Sequence, residues 1–196
     1  MNAGNGRDQH PTQSLVDIHT IFKKLGRLTN FTIVIGGDLK RGRTARSLAY
    51  MLTRFSGIRI IFVAHPALQI GEDIQQHLRE HEVPFQLVSD VDFRDALWVA
   101  DVVYWTRMQL ERVEGEPEVP DMIITAKEMA MMRPHAILMH PLPRKGEIHP
   151  EVDEDPRAAY FEQAGFGPSV RTALFAEMFG VDQDIMKAEN TWRRRS

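Results

Sequence analysis

Three short apolar runs in this chain end in side chains able to grip an anion. Residues 31–35 (FTIVI) lead into Gly36-Gly37-Asp38-Leu39-Lys40-Arg41-Gly42-Arg43-Thr44. Residues 101–105 (DVVYW) lead into Thr106-Arg107-Met108-Gln109, and residues 136–139 (AILM) into His140-Pro141-Leu142-Pro143-Arg144. Guanidinium forks match carboxylates two bonds at a time, so several Arg around one pocket suit a ligand with two carboxylates. Arg43, Arg107 and Arg171 are the candidates, with Gln109 as a neutral partner. Pro141 and Pro143 fix the backbone around Leu142 and leave carbonyls free of helix or ladder, able to point at a ligand.

Taken singly, each piece has a plainer reading. Gly36-Gly37 is then a turn, Asp38 a cap for the helix that follows, and His140 a packed, hydrogen-bonded histidine. Arg46, Arg54 and Arg79 fall inside helix-like stretches and read as surface residues. Only the convergence of three strand ends on one rim carries the functional reading. The glycines form no dinucleotide fingerprint, since G-x-G-x-x-G fails from Gly36 onward. They form no phosphate loop either, since Lys40 is not followed by Ser or Thr in frame. A nucleotide-binding module is therefore the weakest of the readings.

These side chains need elements to hold them. Leu15, Ile18, Phe22 and Leu25 recur at helical spacing behind Pro11, and Gly26 is a stop signal, so a helix is predicted over 11–25. Strands are predicted over 31–35, 59–64, 85–88, 101–105 and 136–139. Helices are predicted between them over 44–55, 71–81, 92–100 and 126–132, and later over 169–179. This alternation predicts an α/β fold: an open, mainly parallel Rossmann-like sheet of about five strands with helices on both faces. The β-branched runs suit strands buried on both sides, and ligands of such sheets bind beyond the carboxyl ends of the strands.

Composition narrows the classes of function. A chain of 196 residues that is 43% hydrophobic can bury one substantial core. Lys and Arg number 24 against 27 Asp and Glu, a balance that supplies no field for nucleic acid or a membrane surface. Cysteine is absent, which excludes disulfides, thiolate metal sites and a Cys nucleophile. No apolar run approaches the ~20 residues of a membrane span, and polar residues follow Met1, so a cytoplasmic location is expected. The basic end, residues 191–196 (TWRRRS), reads as a solvated terminus.

The strings themselves resemble the aspartate carbamoyltransferases. His10-Pro11-Thr12-Gln13 is similar to the family's HPTQ motif, and residues 38–44 (DLKRGRT) to its GDLK-x-GRT segment. Residues 106–112 (TRMQLER) resemble TR-x-Q-x-ER, and residues 140–144 match HPLPR. Residues 155–164 (DPRAAYFEQA) resemble DPRA-x-YF-x-QA, with Val170-Arg171 close behind. The related ornithine enzymes have a cysteine in place of Pro141 and lack the TR-x-Q-x-ER segment. Arg beside a side-chain pocket also favours aspartate over the ammonium of ornithine.

The resemblance implies transfer of the carbamoyl group of carbamoyl phosphate to the amino group of L-aspartate, the committed step of pyrimidine synthesis. His10 and Gln13 would contact the carbamoyl group. Arg43, Arg107 and Gln109 would hold the aspartate carboxylates, and Arg171 would add to that field. The backbone carbonyls of Pro141 and Leu142 would orient the amine and the carbamoyl NH2. No metal, cofactor or covalent enzyme intermediate is implied.

Family members carry an amino-terminal carbamoyl-phosphate domain, whose Ser-Thr-Arg-Thr loop has no counterpart in this sequence. The expectation is an aspartate-binding domain over 1–180 that includes two interdomain helices, about 11–25 and 169–179. A carboxy-terminal extension over 181–196 follows, and the partner domain is expected upstream or in trans. The full enzyme is expected to be a homo-oligomer, and the isolated chain to be inactive alone. Phe175, Met178 and Phe179 either face the absent half or pack inward on this domain's own sheet. The alternative function is that of a non-catalytic paralogue, a ligand-binding or scaffold protein.

Overall fold

The computed structural model describes residues 9–107 and 122–183. Five strands, β1 (Phe31–Gly36), β2 (Ile58–Ala64), β3 (Phe85–Ser89), β4 (Val102–Trp105) and β5 (Ile137–Met139), form one sheet in the order β3-β2-β1-β4-β5. Every pairing is parallel. Parallel strands need crossovers, and seven helices accompany them among the described residues. These are α1 (Pro11–Leu25), α2 (Arg43–Leu52), α3 (Glu72–Glu80), α4 (Phe93–Leu97), α5 (Ala126–Met131), α6 (Tyr160–Gly165) and α7 (Gly167–Phe179).

The period-2 alternation of strand side chains divides the core into two layers. Ile33, Ile35, Ile60, Phe62 and Tyr104 meet α1, α2 and α3 on one face. Val34, Ile61, Val63, Val103 and Trp105 meet α4, α5 and α6 on the other. The central strands therefore have no polar face, which is why their sequences read as continuous apolar runs. Each fully buried Ile or Val contributes about 1.5–3 kcal/mol.

The expected elements are present with their ends moved by a few residues: β1, β2, β3 and α7 run longer, and α2, α3, α4, α5, β4 and β5 shorter. The stretch expected over 44–55 is α2, which stops at Leu52. Arg54 N–H and Phe55 N–H then donate three residues back, to Met51 O and Leu52 O, tightening the last turn. The helix expected over 92–100 contracts to α4 for a similar reason: Val99 and Ala100 also donate three residues back, to Ala96 and Leu97. The Leu15-Ile18-Phe22 stripe of α1 does not simply fill the core. Val16, Ile18 and Ile21 are buried, while Leu15, Phe22 and the edge of Ile18 line a groove against Val170, Ala173 and Leu174 of α7. Phe175, Met178 and Phe179 are exposed rather than packed inward. Among the described residues no helix is long and apolar enough to cross a membrane.

The strand order fixes where a crevice can open. The chain moves outward from β1 to β2 and β3, then returns to the other side of β1 for β4 and β5. The carboxyl ends of β1 and β4 therefore bound the crevice where the direction of winding reverses.

Candidate active site

Close approach of β1 and β4 builds the floor of that crevice. Thr106 N–H and its hydroxyl both donate to Gly36 O, at 2.8 and 2.9 Å. A side chain on Gly36 would collide with the Trp105 ring. One on Gly37 (φ 117°) would collide with the backbone carbonyl and hydroxyl of Thr106. The two glycines thus permit the contact rather than simply make a turn. Asp38 does not cap α2, whose N-cap is Gly42. It is fully buried and accepts from Arg41 N–H at 3.0 Å and from the Arg41 guanidinium at 3.2 Å, closing the loop that presents Arg43.

A cleft of about 210 Å³ opens above this floor, lined by His10, Gln13, Arg43, Thr44, Thr106 and Arg107 and by the loop from His140 to Pro143. Pro11 occupies the first turn of α1, where its missing N–H costs nothing, and His10 is the N-cap. The His10 backbone N–H donates to Ser47 Oγ of α2 at 2.7 Å, which fixes the start of α1 beside the cleft. Burial, and then the charges of Arg43 and Arg171, hold the His10 ring below its ordinary value. A neutral imidazole in such a place can donate one hydrogen bond to an oxygen that gains negative charge. Arg171, from α7, does not line the cleft but acts on His10 through its field.

The opposite wall is the loop after β5. Leu142 lies in the left-handed region (φ 45°), where a non-glycine residue is uncommon. Its N–H donates to His140 Nδ1 at 2.9 Å, so the His140 proton resides on Nε2, which donates to Glu147 Oε1 at 2.7 Å. Burial alone would raise the Glu147 carboxyl. The His140 bond and the N–H groups of Glu147 and Lys145 outweigh burial and hold it below the usual carboxylate range. His140 is buried, and its place is behind the Pro141–Leu142 backbone. Arg144 turns away from the cleft to Asp153 and Tyr160, and its cation lies over the Tyr160 and Phe161 rings.

Six of the eight residues singled out from the sequence therefore share or wall one cleft, with Arg171 close enough to act on it; Gln109 lies outside the described residues. Several cleft-side groups escaped the sequence reading: Asp17, Tyr104, Gln163 and Glu147, all buried beneath the walls. Asp17 stands four residues after Gln13, a spacing that sets both on one helical face. Arg46 also differs from its surface reading. Its side chain is only 16% exposed and is paired with Asp73.

A parallel sheet with a cation-rimmed cleft at its switch point defines an open α/β domain whose cleft has the lining to suit an anion. Residues 29–178 match the family profile described as aspartate/ornithine carbamoyltransferase, Asp/Orn binding domain, and the chain belongs to that family. It is 40% identical over 179 residues to aspartate carbamoyltransferase 3, chloroplastic, of Pisum sativum, covering 89% of this chain and 45% of the relative. It is 40% identical over 186 residues to the aspartate carbamoyltransferase catalytic subunit of Clostridium novyi (strain NT), covering 93% and 60%. Aspartate transcarbamoylase from Trypanosoma cruzi, solved in complex with aspartate and phosphate, superposes with a TM-score of 0.79 at 39% identity. That match covers 89% of this chain and 55% of that one. This chain spans about half the length of the relatives it matches.

Proposed function

We propose that this chain supplies the acceptor half of an aspartate carbamoyltransferase active site. The complete site would move the carbamoyl group of carbamoyl phosphate to the amino group of L-aspartate, giving N-carbamoyl-L-aspartate and phosphate. The observation that carries this reading is the meeting of His10, Gln13, Arg43, Arg107 and the Pro141–Leu142 backbone in one cleft. Arg43 and Arg107, with Gln109, hold the aspartate carboxylates, and Arg171 adds to the attraction. His10 donates to the carbamoyl oxygen as the C–N bond forms and the C–O bond to phosphate breaks. The carbonyls of Pro141 and Leu142 accept from the incoming amine and the carbamoyl NH2. Most of the rate comes from holding two anions in register, which can be worth roughly 7–11 kcal/mol.

The groove between α1 and α7, about 580 Å³ and mostly apolar, and the exposed Phe175, Met178 and Phe179 support a second domain docked on that side. In this proposal residues 1–180 form the aspartate domain, a carbamoyl-phosphate domain lies upstream or in trans, and the whole enzyme is a cytoplasmic homo-oligomer. The test supplies carbamoyl phosphate and L-aspartate to this chain alone and together with a purified carbamoyl-phosphate domain. Product is expected only from the mixture. Silence in the mixture would favour a ligand-binding paralogue, and rapid turnover by the chain alone would refute the half-site reading.

A further inference from the structure

Beneath the cleft lies a carboxylate for which the proposed chemistry has no use. Asp17, in the middle of α1, is fully buried. Its hydrogen-bond partners are all neutral donors: Gln13 Nε2 to Oδ1 at 2.8 Å, Gln163 Nε2 to Oδ1 at 2.7 Å, and Tyr104 OH to Oδ2 at 3.0 Å. Thr44, which lines the cleft, in turn bonds Tyr104. Burying a carboxylate without a cation is costly, and three neutral hydrogen bonds do not offset that cost. Burial accordingly raises the Asp17 carboxyl to about 7 against the opposing bonds from Gln13, Gln163 and Tyr104.

What the carboxylate does is fix the sense of two primary amides. Oδ1 accepts both as a carboxylate oxygen and as the carbonyl oxygen of a carboxyl protonated on Oδ2, so each amide facing Oδ1 must turn its NH2 inward. For Gln163 the other end agrees, since its Oε1 accepts from His140 N–H at 3.0 Å. For Gln13 the other end lines the cleft. We propose that Asp17 is the positioning residue of this site: by holding the Gln13 NH2, it commits Gln13 to present its carbonyl oxygen Oε1 to the cleft as an acceptor for a ligand N–H. With His10 as donor beside it, the pair reads H2N–C=O, the two faces of a carbamoyl group. The identity of that ligand group rests on the transferase reading; the orientation of Gln13 does not.

The first test is spectroscopic and needs only this chain. Side-chain amide protons of Gln13 and Gln163 are expected to exchange slowly. In D17L they become as labile as those of an exposed glutamine, with the backbone spectrum still that of a folded protein. D17N, whose Oδ1 can accept both amides while its NH2 meets the Tyr104 oxygen, is expected to retain the protection. Gln13 protons equally protected in the wild type and D17L would overturn the assignment. Should D17L not fold, wild-type Gln13 exchange as fast as in a free side chain would overturn it.

The second test uses the mixture with a carbamoyl-phosphate domain. D17L is expected to lower kcat ~10-fold or more with the aspartate KM within ~3-fold, and to have little further effect in a Q13A background. An equal loss in both backgrounds would mean that Asp17 acts on the fold and not through Gln13. A mixture with no turnover would defeat the transferase reading and leave the exchange result to decide the orientation.

Discussion

Two buried carboxylates, Asp101 and Asp17 at opposite ends of the sheet, are handled in opposite ways. At the amino-terminal end, Asp101 accepts from Thr32 N–H at 2.8 Å, from Arg133 at 3.1 Å and from His135 at 2.7 Å. Burial alone would raise the Asp101 carboxyl, but these partners outweigh it and hold the group below the usual range. At the carboxyl end, Asp17 receives only neutral donors and is pushed the other way, to about 7. One end uses its polar groups to close the fold, by tying β1, β4 and the turn before β5. The other gathers cations around a cleft and accepts a charge that the fold itself would be better without.

Mutations at the two ends should therefore separate binding from stability. The largest effect belongs to Arg107→Ala. In the mixture with a carbamoyl-phosphate domain it should raise the half-saturating aspartate concentration ~30-fold or more, about 2 kcal/mol or above, while the melting temperature holds. Unchanged aspartate saturation would remove Arg107 from the acceptor site. Asp101→Asn should do the reverse: about 2 kcal/mol less stable in urea unfolding at pH 7, with aspartate saturation preserved. Because its folded value is depressed, the stability Asp101 contributes is present above the unfolded carboxylate value and is lost as pH falls through the folded one.

Asp17→Asn should have the opposite sign to Asp101→Asn, a gain of about 1–2 kcal/mol at pH 8. The folded value near 7 lies above an ordinary 3.8, so the folded chain holds the proton that the unfolded chain has lost. Stability from this group thus falls as pH rises from about 4 to about 7, with a slope of at most about 1.4 kcal/mol per pH unit, and D17N should lack that slope. Matching pH profiles for wild type and D17N would erase the contrast between the two ends. The smallest effect is expected at Glu82, exposed before β3 with φ 55°. Glu82→Gly should stabilise by about 0.5–1 kcal/mol in thermal melts without touching the cleft.

How much could be read from the sequence depends on what each element asks of it. The strands announced themselves because a doubly covered sheet demands apolar β-branched runs. The rim residues Arg43, Arg107 and Pro141–Leu142 came with them because strand ends are where such a sheet exposes polar groups. Helix α6 was not legible: its six residues establish no period, and unlike α4 and α5 it does not fall between two predicted strands. Asp17 was not legible because an acid on an amphipathic helix ordinarily faces water. What sets it inward is Gln163, 146 residues away in sequence, together with Tyr104. Arg144 looked like part of the cationic rim, and only the fold brings Asp153 and Tyr160 near enough to claim it.

Gln163 has a thermodynamic consequence of its own. One amide joins Asp17, in the helix that carries His10 and Gln13, to the His140 backbone at the root of the Pro141–Leu142 loop. His10 and Gln13 at the start of α1 and the carbonyls of the loop are thereby held in one rigid body before any ligand arrives. The conformational entropy of aligning them is lost when the chain folds, so encounter with a ligand has less left to organise.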